Sequence, residues 1–98
     1  MYINNRQFEW DEHKAQLNIQ KHGVHFLDAA FSFDDPNALT IPDEKHSFLE
    51  QRQLLIGSND KEILVVVFTI RLVGTIRIIS ARRPNKKEVA IYEKRKKG

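Results

Sequence analysis

The chain has 98 residues, 41% of them apolar, no cysteine, and a formal net charge of +3 at pH 7. That length fits one domain with one modest core, and the lack of cysteine excludes a disulfide framework, a thiolate metal site and a cysteine nucleophile. No apolar run approaches the roughly 20 residues that span a bilayer, and Met1 to Trp10 lacks the charged-then-apolar order of a secretory signal, so the expectation is a single soluble cytoplasmic domain over residues 1–98.

Phe8-Glu9-Trp10 reads as a short strand whose two aromatics anchor it to the core. Asp11 stands where a helix N-cap belongs, and Glu12 suits the positive end of the helix. This helix runs to Lys21 or His22, and Gly23, at ease in a left-handed conformation, stops it. A short second helix spans Phe26 to Phe31, with Phe26, Leu27, Ala30 and Phe31 as its apolar contacts. Asp34-Asp35-Pro36 ends it, because proline opposes a simple continuation.

The period then changes from helical to strand-like. Ala38 to Ile41 is a strand, followed by a polar loop from Pro42 to Ser47. Arg52 to Ile56 is a second strand, closed by the turn Gly57-Ser58-Asn59-Asp60. Ile63 to Ile70, nearly all apolar and rich in β-branched residues, predicts a central strand buried on both faces. Gly74 marks a tight turn, Thr75 to Ala81 the fourth strand, and Pro84-Asn85 its end. A helix from Lys86 to Lys96 follows, with Asn85 and Glu88 spaced as a capping box and a basic tail from about residue 94. The predicted fold is α+β: two N-terminal helices, an antiparallel sheet of about four strands, and a C-terminal helix.

The small net charge conceals an asymmetry. Residues 1–49 carry four Lys/Arg against eight Asp/Glu, or −4, and residues 50–98 carry twelve against five, or +7. A basic half attracts polyanions, nucleic acid first among them. Strict alternation along Arg77-Ile78-Ile79-Ser80-Ala81 puts Arg77 on one sheet face with Ile79 and Ala81, and Ser80 on the other with Ile76 and Ile78. A mid-strand arginine needs an anion, an acidic partner or an open face. Arg82 and Arg83 emerge beside the start of the last helix, whose free N–H groups favour anions, while Lys86 and Lys87 occupy its first turn against the dipole. A docked phosphate explains that crowding; splaying into water, or pairing with the acidic half, is the plainer account.

All four histidines lie in the first half: His13, His22, His25 and His46. His22 can move protons near neutral pH or simply stabilise the negative end of the first helix. Gly23 breaks the helical spacing that a His22–His25 metal pair would use, and no metal site or cofactor is expected. Glu88 and Tyr92, four apart on one helix face, are equally open: general base or cap, base-stacking ring or core aromatic.

Taken together, the motifs resemble those of a known family. Phe8, Trp10, Asp11 and Lys14, then Asn18, then Lys21-His22-Gly23-Val24 and Phe26 resemble the opening of BrnT toxins. Asp34-Asp35-Pro36, Asp43, His46-Ser47, Glu50, Arg52 and Gly57 are similar to the middle of such toxins. The stretch from Arg77 to Arg83, with Glu88 and Tyr92, is similar to their close. The likeness spans residues 8 to about 93. It departs at His25, where the family has a small capping residue, and at Arg71-Leu72-Val73-Gly74, which is more apolar than the usual turn.

The resemblance implies a RelE-like fold and the toxin of a type II toxin–antitoxin pair, an endoribonuclease that cuts RNA without a metal and inhibits translation. It also implies a ribbon–helix–helix antitoxin of the BrnA kind, through which the complex reaches DNA, and no membrane partner. On this reading Lys21, Arg52, Arg77 and Arg82 stabilise charge, with His22 or Glu88 as proton carriers. Thr69, Ser80, Arg83, Lys86, Lys87 and Tyr92 contact the RNA. The rival is a non-catalytic module of the same fold that binds RNA or antitoxin without cutting, since binding and cleavage draw on the same basic groups.

Overall fold

The computed structural model describes residues 1–46 and 50–98. Ser47, the end of the predicted polar loop, lies outside them. Two strands precede the first helix, β1 (Tyr2–Ile3) and β2 (Arg6–Glu9). They are joined at Asn4 and Asn5, whose φ values of 50° and 70° are both positive. That pair of left-handed residues matches hairpin twist, and asparagine tolerates it.

Helix α1 (Glu12–His22) begins and ends as its sequence dictates. The Asp11 carboxylate accepts from the Lys14 N–H at 2.9 Å, and Gly23, at φ 69°, donates its N–H to Ile19 O. Helix α2 (Phe26–Phe31) starts at His25 without a side-chain cap and passes through a 3-10 turn, Ser32–Asp34, before Pro36. The strands β3 (Leu39–Pro42), β4 (Gln53–Ser58), β5 (Ile63–Ile70) and β6 (Ile76–Arg82) follow, and then α3 (Lys86–Lys97). Asn85 and Glu88 form the reciprocal capping box that opens α3. The basic residues from Lys94 form the last turn of this helix. Among the described residues no helix is long and apolar enough to cross a membrane.

The sheet corrects the expected architecture. Among the described residues it has six strands, in the order β1-β2-β6-β5-β4-β3, and it is mixed. Strands β3 to β6 form an antiparallel meander, while β2 lies parallel to β6 through Phe8↔Ile76 and Glu9↔Arg77. The helices are therefore not N-terminal. They form the crossover that carries the chain from β2 to the far edge at β3, and the meander then returns β6 to the side of β2. A strand of two residues carries no readable period, which is why β1 escapes a sequence reading.

Burial divides the sheet into two faces. Phe8, Leu64, Val66, Phe68, Ile78 and Ala81 pack against α1 and α2 in the larger core. Ile56 and Val65 meet Tyr92 of α3 on the other face, so the middle of β5 is buried on both sides, as its composition predicts. The alternation expected in β6 fails. Val67 pairs with Ser80 and Phe68 with Ile78, which leaves Ile79 as an extra residue. This β-bulge re-aims the strand beyond it. Ala81 therefore joins Ile76 and Ile78 in the larger core, and Ser80 turns with Ile79 towards the opposite face.

Candidate active site

Strand β2 pairs with β6 only at Ile76 and Arg77. Beyond that point Asn18 of α1 occupies the place of a neighbouring strand. Its amide N–H groups donate to Ala81 O at 2.8 Å and to Val24 O at 2.9 Å, and its carbonyl accepts from the Ala81 N–H at 3.1 Å. With Asn18 only 6% exposed, these bonds are shielded from water and pin the last turn of α1 to β6. Arg83 adds a second tie, donating to His22 O at 3.0 Å and to Glu62 at 2.8 Å. Lys21 and His22 are placed by this docking.

A cavity of about 420 Å³ opens there, lined by Lys21, His22, Asp43, Arg52, Ser80 and Arg82 over an apolar floor of Leu54, Val67 and Ile79. The floor spans β4, β5 and β6, since Leu54 pairs with Val67 and Val67 with Ser80. The bulge turns both Ile79 and Ser80 into the cavity. On the β4 side the Asp43 N–H donates to Arg52 O at 2.9 Å, extending the β3–β4 pairing past Pro42. Arg52 Nε lies 3.7 Å from Glu50.

Arg82 is held from behind. Its two terminal nitrogens donate to the two oxygens of Glu88, each at 2.8 Å, and Glu88 Oε1 also accepts the Asn85 N–H at 2.9 Å. The Arg82 bond, chiefly, keeps the Glu88 carboxyl below the usual range against the opposing effect of burial. The same bond raises the Arg82 pKa further. Both Glu88 oxygens are thus committed to holding a cation and a helix cap.

The remaining candidates lie outside the cavity lining. Arg77 donates to Glu9 at 2.6 Å, and its register partner Thr69, 3% exposed, donates its hydroxyl to Gln51 O at 2.7 Å. Tyr92 is 2% exposed and donates to Asp35 at 2.6 Å. Burial foremost, and then that bond, push the phenol up to about 12. Asp35 also accepts from the N–H groups of Asn37 and Ser58, and these bonds with Tyr92 outweigh its burial to hold its pKa below normal. Lys86 and Lys87 are exposed on the first turn of α3. Among the described residues no cluster of three or more His, Asp or Glu suits a metal ion.

A family model described as the ribonuclease toxin BrnT of type II toxin–antitoxin systems matches residues 10–88, which include every residue lining the cavity. The chain belongs to the BrnT family. Among solved structures, the crystal structure of the Brucella abortus ribonuclease toxin BrnT is similar, with 30% sequence identity and a TM-score of 0.64. The match covers 83% of this chain and 99% of that one. Comparison with curated protein sequences returned no significant match. The BrnT resemblance read from the motifs therefore holds over most of the chain.

Three features of this BrnT cavity were not assigned from sequence. Asp43 entered only as one position in a motif, because an acid in a short polar loop after a proline has no periodic signal. The apolar floor looks like ordinary core, since Leu54 and Val67 alternate as any strand residues do. Asn18, lying between Leu17 and Ile19 in a helix, gives no sign that its partner is 63 residues away.

Proposed function

We propose that this chain is the toxin of a type II pair that cuts RNA internally without a metal and so inhibits translation in the cytoplasm. The observation that carries the proposal is the convergence of Lys21, His22, Arg52, Ser80 and Arg82 on one cavity. In this reading a ribose 2′-hydroxyl attacks the adjacent phosphorus, the bond to the 5′-oxygen breaks, and the products are a cyclic phosphate and a 5′-hydroxyl. Lys21, Arg52 and Arg82 balance the charge growing on the phosphoryl oxygens, the part a metal ion plays in other nucleases. The apolar floor strengthens their effect by keeping the local dielectric low. His22 carries a proton, Ser80 orients the phosphate by hydrogen bonding, and Glu88 acts through Arg82.

Arg77, Arg83, Lys86 and Lys87 extend the positive field to flanking phosphates, and Thr69 and Tyr92 support the frame. The order of helices, meander and closing helix is read as RelE-like. The inhibitor is read as a BrnA-like ribbon–helix–helix antitoxin that covers the basic face by charge complementarity and supplies the contact with DNA. Incubation of the purified protein with total RNA tests the proposal. Cleavage should persist in excess EDTA and fall about 10²–10³-fold in Arg82→Ala. RNA left intact at high protein excess refutes the nuclease reading and favours a binding-only module.

A further inference from the structure

The segment that leads into β4 walls a second cavity. This one, of about 360 Å³, lies between Glu50, Gln51 and Gln53 on one side and Thr69 to Leu72 on the other. It opens because two strands part there. β4 pairs with β5 no further than Gln53↔Phe68. Beyond that point the Thr69 hydroxyl donates to Gln51 O at 2.7 Å, which fixes the segment beside the gap. Arg52 and Leu54 line the first cavity, Gln51 and Gln53 the second, in the alternation of an extended chain. Glu50 stands 3.7 Å from Arg52 and 3.9 Å from Arg71, so the two cavities meet at one carboxylate.

Their chemistry differs. The first sets Lys21, Arg52 and Arg82 against one acid, Asp43, a net positive lining that suits phosphate. Among the described residues the second is lined by one acid, Glu50, and one base, Arg71, for a formal charge of zero. It suits an uncharged part of the same polymer. Amide side chains carry donor and acceptor on one group, as the edge of a nucleobase requires. Leu72, 90% exposed, and Ile70, 50% exposed, offer apolar contact to its face, and the Arg71 guanidinium can stack on it. The hairpin holds Leu72 outward: the Arg71 N–H donates to Thr75 O at 2.8 Å and the Gly74 N–H to Arg71 O at 3.1 Å. This closure puts Val73 at φ 57°, a left-handed value unfavourable for a β-branched residue. Val73 is 96% exposed and gains no packing in return.

We infer that the second cavity is a nucleobase subsite. It takes the unpaired base next to the phosphodiester that is cut, with Gln51 and Gln53 reading its edge and Leu72 covering its face. The inference rests on the ribonuclease reading and deepens it, because it gives the enzyme a base preference at one fixed position. Gln51 and Gln53 flank Arg52 in the chain, at roughly 3.3 Å per residue. The position is therefore the nucleotide adjoining the cut.

Mapping every cut that the wild-type protein makes in total RNA tests the subsite. One nucleobase should dominate at one position beside the cut. Gln51→Ala, Gln53→Ala and Leu72→Ala should each flatten that preference, by about fivefold or more where an amide contact to the base edge is lost. Gln51 and Leu72 are exposed, so their variants should melt with the wild type. Gln51→Glu leaves acceptors only and should move the preference towards bases that present an amino group. Slower cleavage at every site with base frequencies unchanged in all variants makes these residues structural and overturns the inference. If wild type cuts with no preference beside the scissile bond, the subsite fails while the nuclease reading stands. If wild type leaves RNA intact, the nuclease reading falls and the subsite falls with it.

Discussion

Replacing Asn18 by alanine tests how the cavity is assembled. The substitution deletes three buried hydrogen bonds, two to Ala81 and one to Val24 O. The Ala81 N–H and O point away from β5, and β2 does not reach that far along β6, so no neighbouring strand replaces the lost amide. A net contribution of about 1 kcal/mol per bond, with up to about 3 kcal/mol for each buried group left unsatisfied, places the loss near 3 kcal/mol once water enters the gap. For a domain of this size that lowers Tm by roughly 10–20 °C. Urea unfolding followed by fluorescence of Trp10, whose ring meets Phe26 edge-on at 6.0 Å, measures the loss directly. Asn18→Asp should do no better, because a carboxylate accepts from the Ala81 N–H but faces two carbonyl oxygens it cannot serve. At a temperature where Asn18→Ala is fully folded, cleavage should still fall, by up to about 10²-fold, since Lys21 and His22 depend on this docking for position. A stability loss below about 1 kcal/mol, or full activity in a folded variant, would refute the assignment of Asn18 as the tie between α1 and β6.

Glu88→Gln keeps the shape of its side chain but gives up the ion pair with Arg82. Cleavage should drop about tenfold, or roughly 1.4 kcal/mol of barrier, with the pH profile unchanged in shape; a lost limb in that profile would make Glu88 a proton carrier. The same variant should be less acid-sensitive, because a carboxyl with a depressed folded pKa stabilises above its unfolded value and loses that effect as pH falls through the folded one. Tyr92 has the opposite sign. Its phenol is raised to about 12 from about 10 when unfolded, so its contribution is complete below about pH 10 and disappears between about 10 and 12. Alkaline unfolding with phenolate absorbance should show that step in wild type and lack it in Tyr92→Phe. Gly57→Ala sets a Cβ 2.8 Å from Ser32 O and 3.0 Å from Ala38 Cβ. It should cost about 1–3 kcal/mol in chemical denaturation and leave cleavage per folded molecule intact.

The elements legible in the sequence are those with a local cause. Asp11 and Gly23 delimit α1 through a cap and a left-handed stop, Asn85 and Glu88 open α3, and the unbroken apolar run of β5 follows from burial on two faces. What was not legible depends on distant partners. The parallel pairing of β2 with β6 exists only because the meander returns to that edge. The bulge at Ile79 reverses the facing of Ser80 and Ala81 although nothing in Arg77-Ile78-Ile79-Ser80-Ala81 marks an extra residue. A strict period of two therefore puts Ser80 on the face of Ile76 and Ile78, which is the core face, and the register of a neighbouring strand moves it into the cavity.

Charge counting has the same limit, and here it bears on mechanism. The basic half carries a row of arginines, yet Arg77 is paired with Glu9, Arg83 with Glu62 and Arg82 with Glu88. Of those three, Arg82 alone also lines the cavity. The cation that completes the set, Lys21, comes from the acidic half, and Arg52 from the start of the basic one. No window of sequence contains all three. They meet because Asn18 fastens α1 to β6 while the β3–β4 pairing fixes Arg52 across the floor. Shielded ties of this kind are less sensitive to salt than surface attraction. Raising ionic strength should therefore weaken RNA binding strongly, through lost phosphate contacts, while the rate of cleavage at saturating RNA changes much less. A rate at saturation that collapses in parallel with binding would mean that the cavity is held together by exposed charge and not by its buried hydrogen bonds.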